Sequence, residues 1–153
     1  MRIAILLLSA IPLLLAGDRA IGVWKFNPER SNYESGPPPQ KSIRRFEAAG
    51  GGCTFIHRGI DARGHEFYVT YTAKYDGKEY PVKGARRYDR VTQKMIDDST
   101  VDLVFKKGDE VTVKARRVIS KDGKTMTITA TGKHRDGKNF RNVVVYERSE
   151  PLP

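Results

Sequence analysis

Apolar and polar residues alternate along most of this chain from about residue 42 onward. In the run 66–74, Phe67, Val69 and Tyr71 alternate with residues that are mostly polar. The runs 100–106 and 125–131 repeat the two-residue period, which is typical of a half-buried β-strand. The apolar period of an amphipathic helix is not evident, so the pattern predicts an all-β protein.

Tight turns separate these runs. Asp-Gly-Lys occurs at 76, 122 and 136, and Lys-Gly-Asp occurs at 107. Glycine adopts positive φ at little cost and aspartate bonds its own local backbone, so these triplets favour hairpins between antiparallel neighbours. Strands are expected near 22–27, 42–48, 53–59, 66–75, 78–82, 87–96, 100–106, 110–120, 125–132 and 140–147.

Strands joined in succession by hairpins favour an antiparallel up-and-down β-barrel of about eight to ten strands over a sandwich, since a sandwich needs longer crossing connections. The one long loop is 27–41, which contains Pro37, Pro38 and Pro39. Three prolines in a row are extended and cannot join the centre of a sheet. The loop is therefore a stiff spacer or a lid over one end of the barrel.

The strand 110–120 interrupts the alternation, because the face that carries Val111, Val113 and Ala115 continues to Arg117. A β-bulge at Arg116 and Arg117 would shift the register, and we expect this, because bulges are common at barrel rims. The alternative is that Arg117 points inward. It would then need a carboxylate or an anionic ligand as partner, because an unpaired buried charge is costly.

The first sixteen residues differ in composition from the rest. Arg2 precedes an apolar run at 3–16, which is shorter than the roughly 20 residues that span a bilayer. This indicates a secretory signal at 1–16, or extending to 20, followed by a single domain at 17–153. The only cysteine, Cys53, lies far downstream, so lipidation at the leader is not expected. The location expected is the periplasm or the exterior.

The formal net charge of +10 raises the question of an acidic partner. Export and the scattered positions of the basic residues argue against nucleic acid. Weak contact with anionic membrane or polysaccharide, or an acidic ligand, is more economical, and a solvated surface is the simplest interpretation. With Cys53 alone, no intrachain disulfide forms, so packing and backbone pairing must hold the fold.

Several stretches together resemble a known group. Gly22-Val23-Trp24 before a strand meander is similar to the Gly-x-Trp signature of lipocalins and other calycin barrels. The stretches 22–33, 73–82, 120–129 and 142–148 resemble small exported bacterial lipocalin-like proteins, a group without an assigned activity. The resemblance implies that Trp24 closes one end of the barrel and that an arginine after the last strand packs on its indole. Arg148 is the first candidate and Arg141 the second.

Residues suited to catalysis are few. The stretch 57–66 would place His57 and His65 on neighbouring strands, where they could hold a metal only if both faced one side. The glycines and charges around them are more typical of an exposed loop, and no esterase, metalloprotease or phosphate-binding motif is present. We therefore expect no enzyme activity, no metal site and no cofactor.

Aromatic residues on different strands indicate binding more than catalysis. An eight-stranded barrel is either filled by side chains or holds one small ligand. The leading hypothesis is an exported barrel that binds a small apolar or amphipathic ligand, with Arg117 as anchor for an anionic group. The alternative is an envelope-surface or interaction domain without a pocket. The candidate ligand-binding residues are Phe55, Phe67, Tyr71, Tyr88, Phe105, Arg117 and Tyr146.

Overall fold

The computed structural model describes residues 17–149, so the expectations for the leader at 1–16 lie outside the described residues. Ten antiparallel strands account for most of this part of the chain. They are β1 (Gly22–Asn32), β2 (Lys41–Ala49), β3 (Gly52–Ile60), β4 (Glu66–Lys74), β5 (Tyr80–Pro81), β6 (Arg90–Met95), β7 (Thr100–Lys107), β8 (Glu110–Ile119), β9 (Thr125–Lys133) and β10 (Asn139–Ser149). Between residues 17 and 149 there is no helix long and apolar enough to cross a membrane.

The strands form one sheet that follows chain order, except that β1 pairs with β10. The sheet order is β4-β3-β2-β1-β10-β9-β8-β7-β6-β5. Because every hairpin joins neighbours and the first strand meets the last, the sheet curls into a nearly closed barrel. The all-β, up-and-down architecture predicted from the alternation is confirmed.

Few backbone hydrogen bonds join β4 to the β5–β6 hairpin, where the two ends of the sheet meet. Thr70 and Lys83 exchange two backbone hydrogen bonds of 3.0 and 2.9 Å, and the Gln93 side chain donates to the Ala73 carbonyl at 2.7 Å. A Cβ atom on Gly84 would lie 1.9 Å from the Tyr68 carbonyl oxygen. Glycine at this position therefore allows the two backbones to meet and the barrel to close.

The loop between β1 and β2 is shorter than the sequence indicated, because β1 continues to Asn32. The Asn142 side chain accepts hydrogen bonds from the backbone amides of Glu34 and Ser35, at 2.9 and 3.0 Å. At the other end of the loop, the Gln40 amide donates to the Ile60 carbonyl. The loop 33–40 is thus fixed to β10 and β3 at one end of the barrel.

The bulge in β8 is displaced from the position expected, and the expectation of a bulge at Arg116–Arg117 is wrong. Those residues pair regularly with β7 and β9, while the register with β7 shifts between Phe105 and Lys106. The extra residue is Thr112. It turns Val111 outward, where the side chain is 43% exposed, and leaves Arg117 facing inward, where it is 2% exposed.

Trp24 lies at the opposite end from the loop 33–40, which we call the base of the barrel. Its side chain is fully buried, and its Nε1 donates to the Ala20 carbonyl at 2.7 Å. The Arg148 guanidinium lies 4.2 Å from the centre of the indole ring and donates to the carbonyls of Arg19, Ile21 and Gly123. The ring and the guanidinium together seal the base.

Gly22 is required by this arrangement. Its φ of +129° is disfavoured for other residues, and a Cβ atom there would lie 2.7 Å from Nη1 of Arg148. Arg141, the second candidate for stacking on Trp24, lies near the other end, where its backbone amide donates to the Glu34 carboxylate at 2.7 Å.

We expect Trp24→Ala to lower the free energy of unfolding by about 3–5 kcal/mol, because a large buried ring is replaced by a cavity. Urea unfolding would measure the change. Tyr68→Ala is the matched control, since Tyr68 is 54% exposed and should change stability by less than about 1 kcal/mol. Equal effects of the two substitutions would contradict a sealing role for Trp24.

Candidate ligand-binding site

The barrel encloses a cavity of about 120 Å³. Its wall is mostly aromatic and aliphatic, with two arginines and one histidine among the lining residues. These residues are Arg44, Phe46, Phe55, His57, Tyr71, Tyr88, Leu103, Phe105, Val113, Ala115, Arg117, Ile128 and Ala130. Side chains therefore fill only part of the interior, and the guanidinium groups of Arg44 and Arg117 belong to the wall of the remaining cavity.

A cleft of about 330 Å³ opens at the end opposite Trp24, under the loop 33–40. It shares Arg44, His57, Ile128 and Ala130 with the inner cavity, so the two hollows are neighbours on either side of these residues. The other lining residues are Tyr33, Pro37, Pro39, Asp61, Ala62, Phe67, Asn142 and Val144. Pro37 and Pro39 therefore cover one side of the cleft.

Arg117 faces the cavity, but a carboxylate already compensates its charge. Its guanidinium pairs with Asp18 and lies 4.6 Å from the centre of the Phe46 ring. Asp18 also accepts a hydrogen bond of 2.5 Å from the Tyr75 hydroxyl and one of 2.9 Å from the Ala20 amide. Both charged side chains are almost fully buried. The ion pair compensates the charge of Arg117, but the Nε and Nη1 atoms of Arg117 are buried without a hydrogen-bond partner in the described part of the chain.

Arg44 is the second inward arginine, and its charge has no such partner. Its guanidinium lies 4.8 Å from the centre of the Tyr146 ring and 5.5 Å from that of Phe55. Within residues 17–149 it forms no ion pair, and its Nε is buried without a hydrogen-bond partner. Because arginine remains charged, the wall carries one uncompensated positive group.

A short polar network lies next to Arg44. Ser42 Oγ is 2.7 Å from His57 Nε2 and 2.8 Å from the Tyr146 hydroxyl. Burial, and then the charge of Arg44, hold the pKa of His57 well below its ordinary value. Burial also raises the pKa values of Tyr33, Tyr71 and Tyr88. These groups are therefore neutral at pH 7 and do not offset Arg44.

The aromatic candidates occupy two levels of the barrel. Phe55 and Tyr71 stack at 4.8 Å between ring centres, and Tyr88 packs on Phe105 at 4.5 Å; these four residues and Arg117 line the inner cavity. Phe67 lines the outer cleft. Tyr146 is fully buried and contributes its ring to Arg44 and its hydroxyl to Ser42.

Sequence reasoning missed Arg44, Ser42, His57 as a wall residue, and Asp18. In β2 the inward side holds Ser42, Arg44 and Phe46, so hydropathy gives no clear face. Asp18 lies where the end of the leader was uncertain. Arg44 lies two residues before Phe46, which is 2% exposed. Because residues i and i+2 of a strand share a face, this spacing could have identified Arg44 as an inward residue.

The histidines considered as metal ligands do not meet. His57 faces the cavity, whereas His65 lies in the β3–β4 hairpin, is exposed and approaches the Asp61 carboxylate at 3.6 Å. In the described range 17–149, no three His, Cys, Asp or Glu side chains come together in a group that could hold a metal.

A scan against models of known protein families found no match, and a search of curated proteins found none either. Among solved structures, the chain is similar to the ileal bile acid-binding protein of zebrafish, in a crystal structure with cholic acid. The match has a TM-score of 0.54 and covers 86% of this chain and 99% of that chain at 15% identity. The likeness shows a shared fold, a nearly closed antiparallel β-barrel.

The half-buried His57, which lines the cavity, generates a pH dependence of stability. In the unfolded chain an imidazole titrates near pH 6.5, whereas in the folded barrel it stays neutral to lower pH. Below about pH 6.5 the unfolded state therefore binds the extra proton, so stability falls as the pH falls, by at most about 1.4 kcal/mol per pH unit.

His57→Gln should remove this part of the pH dependence. Urea unfolding of both proteins at pH 7.5 and 5.5 would measure it, and we expect the variant to lose less stability than the parent between the two pH values. Equal losses would show that His57 is protonated equally in both states.

Proposed function

We propose that this protein is an exported barrel that binds a small amphipathic ligand with an anionic group. The apolar part of the ligand would contact the aromatic wall, and the anionic group would bind Arg44. The cleft and the inner cavity lie next to each other and share Arg44 in their walls, which supports this arrangement. The inner cavity alone is smaller than most ligand pockets, which measure about 300–1,000 Å³, so the ligand would extend into the cleft.

The observation that carries the proposal is the uncompensated charge of Arg44. Among the described residues Arg44 has no carboxylate partner, and its buried Nε–H has no acceptor, which is costly unless an acceptor reaches it. An anionic oxygen in the cavity would supply this acceptor. Ser42, His57 and Tyr146 lie beside it as hydrogen-bonding groups. The role first assigned to Arg117 thus passes to Arg44, because Asp18 already holds Arg117.

Two further observations agree with this function. A protein of the same fold holds cholic acid in its crystal structure, so the architecture accommodates such a ligand in that protein. The apolar leader at 3–16 supports export to the periplasm or the exterior. The proposed function is non-enzymatic and requires no cofactor.

A titration with 8-anilinonaphthalene-1-sulfonate, an anionic amphipathic fluorophore, would test the proposal. Arg44→Gln should weaken binding by about 10-fold or more, since a charge-assisted hydrogen bond is lost. Arg45→Gln is the matched control, because Arg45 is the next residue in β2 and its side chain points outward, where it is 57% exposed.

Saturable binding by the parent and the Arg45 variant, together with weak binding by the Arg44 variant, would support the site. Native mass spectrometry of protein purified from an exporting host would then identify a co-purified ligand. Absence of binding by the parent protein would contradict the function. Equal binding by both variants would contradict the role of Arg44.

A second candidate function is contact of the barrel with an anionic surface, either lipid or polysaccharide. The contact would be made by the mouth of the barrel, which is the end opposite Trp24. The connections at the mouth, counted with the strand ends that flank them, hold thirteen Lys and Arg against seven Asp and Glu, whereas those at the base, counted in the same way, hold seven of each. The positive charge is therefore concentrated around the cleft, and we call this surface the basic rim. Its segments are 33–41, 58–66, 83–90, 106–110 and 133–141; those at the base are 17–21, 49–52, 74–79, 94–99, 119–125 and 147–149.

Co-sedimentation with vesicles would measure this contact. Association with phosphatidylglycerol vesicles should exceed that with phosphatidylcholine vesicles and fade as salt rises, because exposed charges are screened within about 8 Å at physiological ionic strength. The triple variant Arg63→Glu, Arg86→Glu, Lys138→Glu should lose it. The base variant Lys74→Glu, Lys78→Glu, Lys121→Glu is the control with the same change in net charge.

Equal loss in the two triple variants would show that net charge alone, and not the basic rim, attracts the vesicles. Association that does not depend on salt would also count against the contact. A parallel assay with an anionic polysaccharide would distinguish the two kinds of surface.

A further inference from the structure

We infer that the leader is cut between Ala16 and Gly17, and that residues 18–21 then close the base of the barrel beneath the ligand cavity. This inference rests on the export part of the proposed function. The sequence allows a cut after Ala16 or after Ala20, and the contacts of the four residues between them decide which product keeps the barrel intact.

Among the residues that a later cut would remove, Asp18 contributes most to the stability of the barrel. It is 8% exposed, and its carboxylate binds the Arg117 guanidinium, the Tyr75 hydroxyl and the Ala20 amide. Without it, Arg117 would be a buried charge with no counter-charge, and breaking such a pair is strongly destabilising. The cavity would then hold two uncompensated arginines instead of one.

The next residues are bound through their backbone and side chains to several parts of the base. The Arg19 amide donates to the Asp98 carbonyl, and the Arg19 guanidinium donates to Ser99 Oγ and to the Lys121 carbonyl, each at 2.9 Å. The Ala20 side chain is fully buried. The segment is thus attached to the β6–β7 and β8–β9 hairpins at the same time.

The same segment supports the Trp24 seal. The Ala20 carbonyl accepts the indole N–H, and the carbonyls of Arg19 and Ile21 accept two of the hydrogen bonds of Arg148. A chain that began at Ile21 would leave the buried indole N–H without its acceptor. Cutting there would weaken the ion pair and the seal together.

Gly17 differs from the residues that follow it. It is exposed, and a Cβ atom built on it would meet no atom within 4 Å. A chain that begins at Gly17 therefore retains every contact described above. Ala16 supplies the small residue that leader cleavage favours before the cut.

The full chain, produced in a bacterium that exports it, would test the cut by intact mass spectrometry of the mature protein. We expect the mass of residues 17–153. A mass that begins at Arg19 or at Ile21 would overturn the inference. An uncut chain would overturn both the cut and the export proposal, whereas fluorophore binding by residues 17–153 tests the ligand proposal separately.

Thermal unfolding would test the role of residues 18–21 at the base of the barrel. Residues 17–153 and 21–153, each released from a cleavable fusion with the stated first residue, would be compared with Asp18→Asn in the longer chain. We expect the short chain and Asp18→Asn to melt at least about 10 °C lower, or to be insoluble. Asp136→Asn, in the exposed β9–β10 hairpin, should melt like the parent. Equal melting of both chain lengths would overturn the role of residues 18–21.

Discussion

The buried pair of Asp18 and Arg117 links the fold of this protein to its cavity. Arg117 enters the barrel because β8 pairs regularly at that position, and a charge in this place requires a counter-charge. Asp18 supplies it from the segment that precedes β1, together with a hydrogen bond from Tyr75. The pair therefore fixes the base of the barrel and neutralises one of the two arginines inside it.

As a consequence, only one of the two inward arginines, Arg117, has a counter-charge within residues 17–149. Arg44 retains its charge against the rings of Tyr146 and Phe55, and its buried Nε has no acceptor. Its neighbour His57 is kept neutral by burial and by Arg44 itself. An aromatic cavity with a single uncompensated cation is suited to a ligand that has one anionic end and one apolar end. The uneven distribution of exposed charge places a positive surface at the mouth of the same cavity.

Sequence alternation predicted the strands well, because a half-buried strand must present apolar residues at every second position. It failed at two places for local reasons. The bulge at Thr112 exposes Val111 and leaves Arg117 on the inward face of Val113 and Ala115, yet an inserted residue leaves no mark in composition. In β2, the inward face holds the polar Ser42 and Arg44 together with Phe46, so hydropathy gives no clear face. In both places the pairing register overrides the preference of single residues.

The sequence by itself determined the all-β class, the hairpin order and the aromatic character of the interior, since each follows from periodicity or from the chemistry of turns in consecutive residues. Only the tertiary structure decided which arginine is compensated, that the end opposite Trp24 is open, and that residues 18–21 belong to the base. Those features depend on side chains about one hundred residues apart, such as Asp18 and Arg117. Local patterns contain no information on such contacts, because closure of the barrel brings them together.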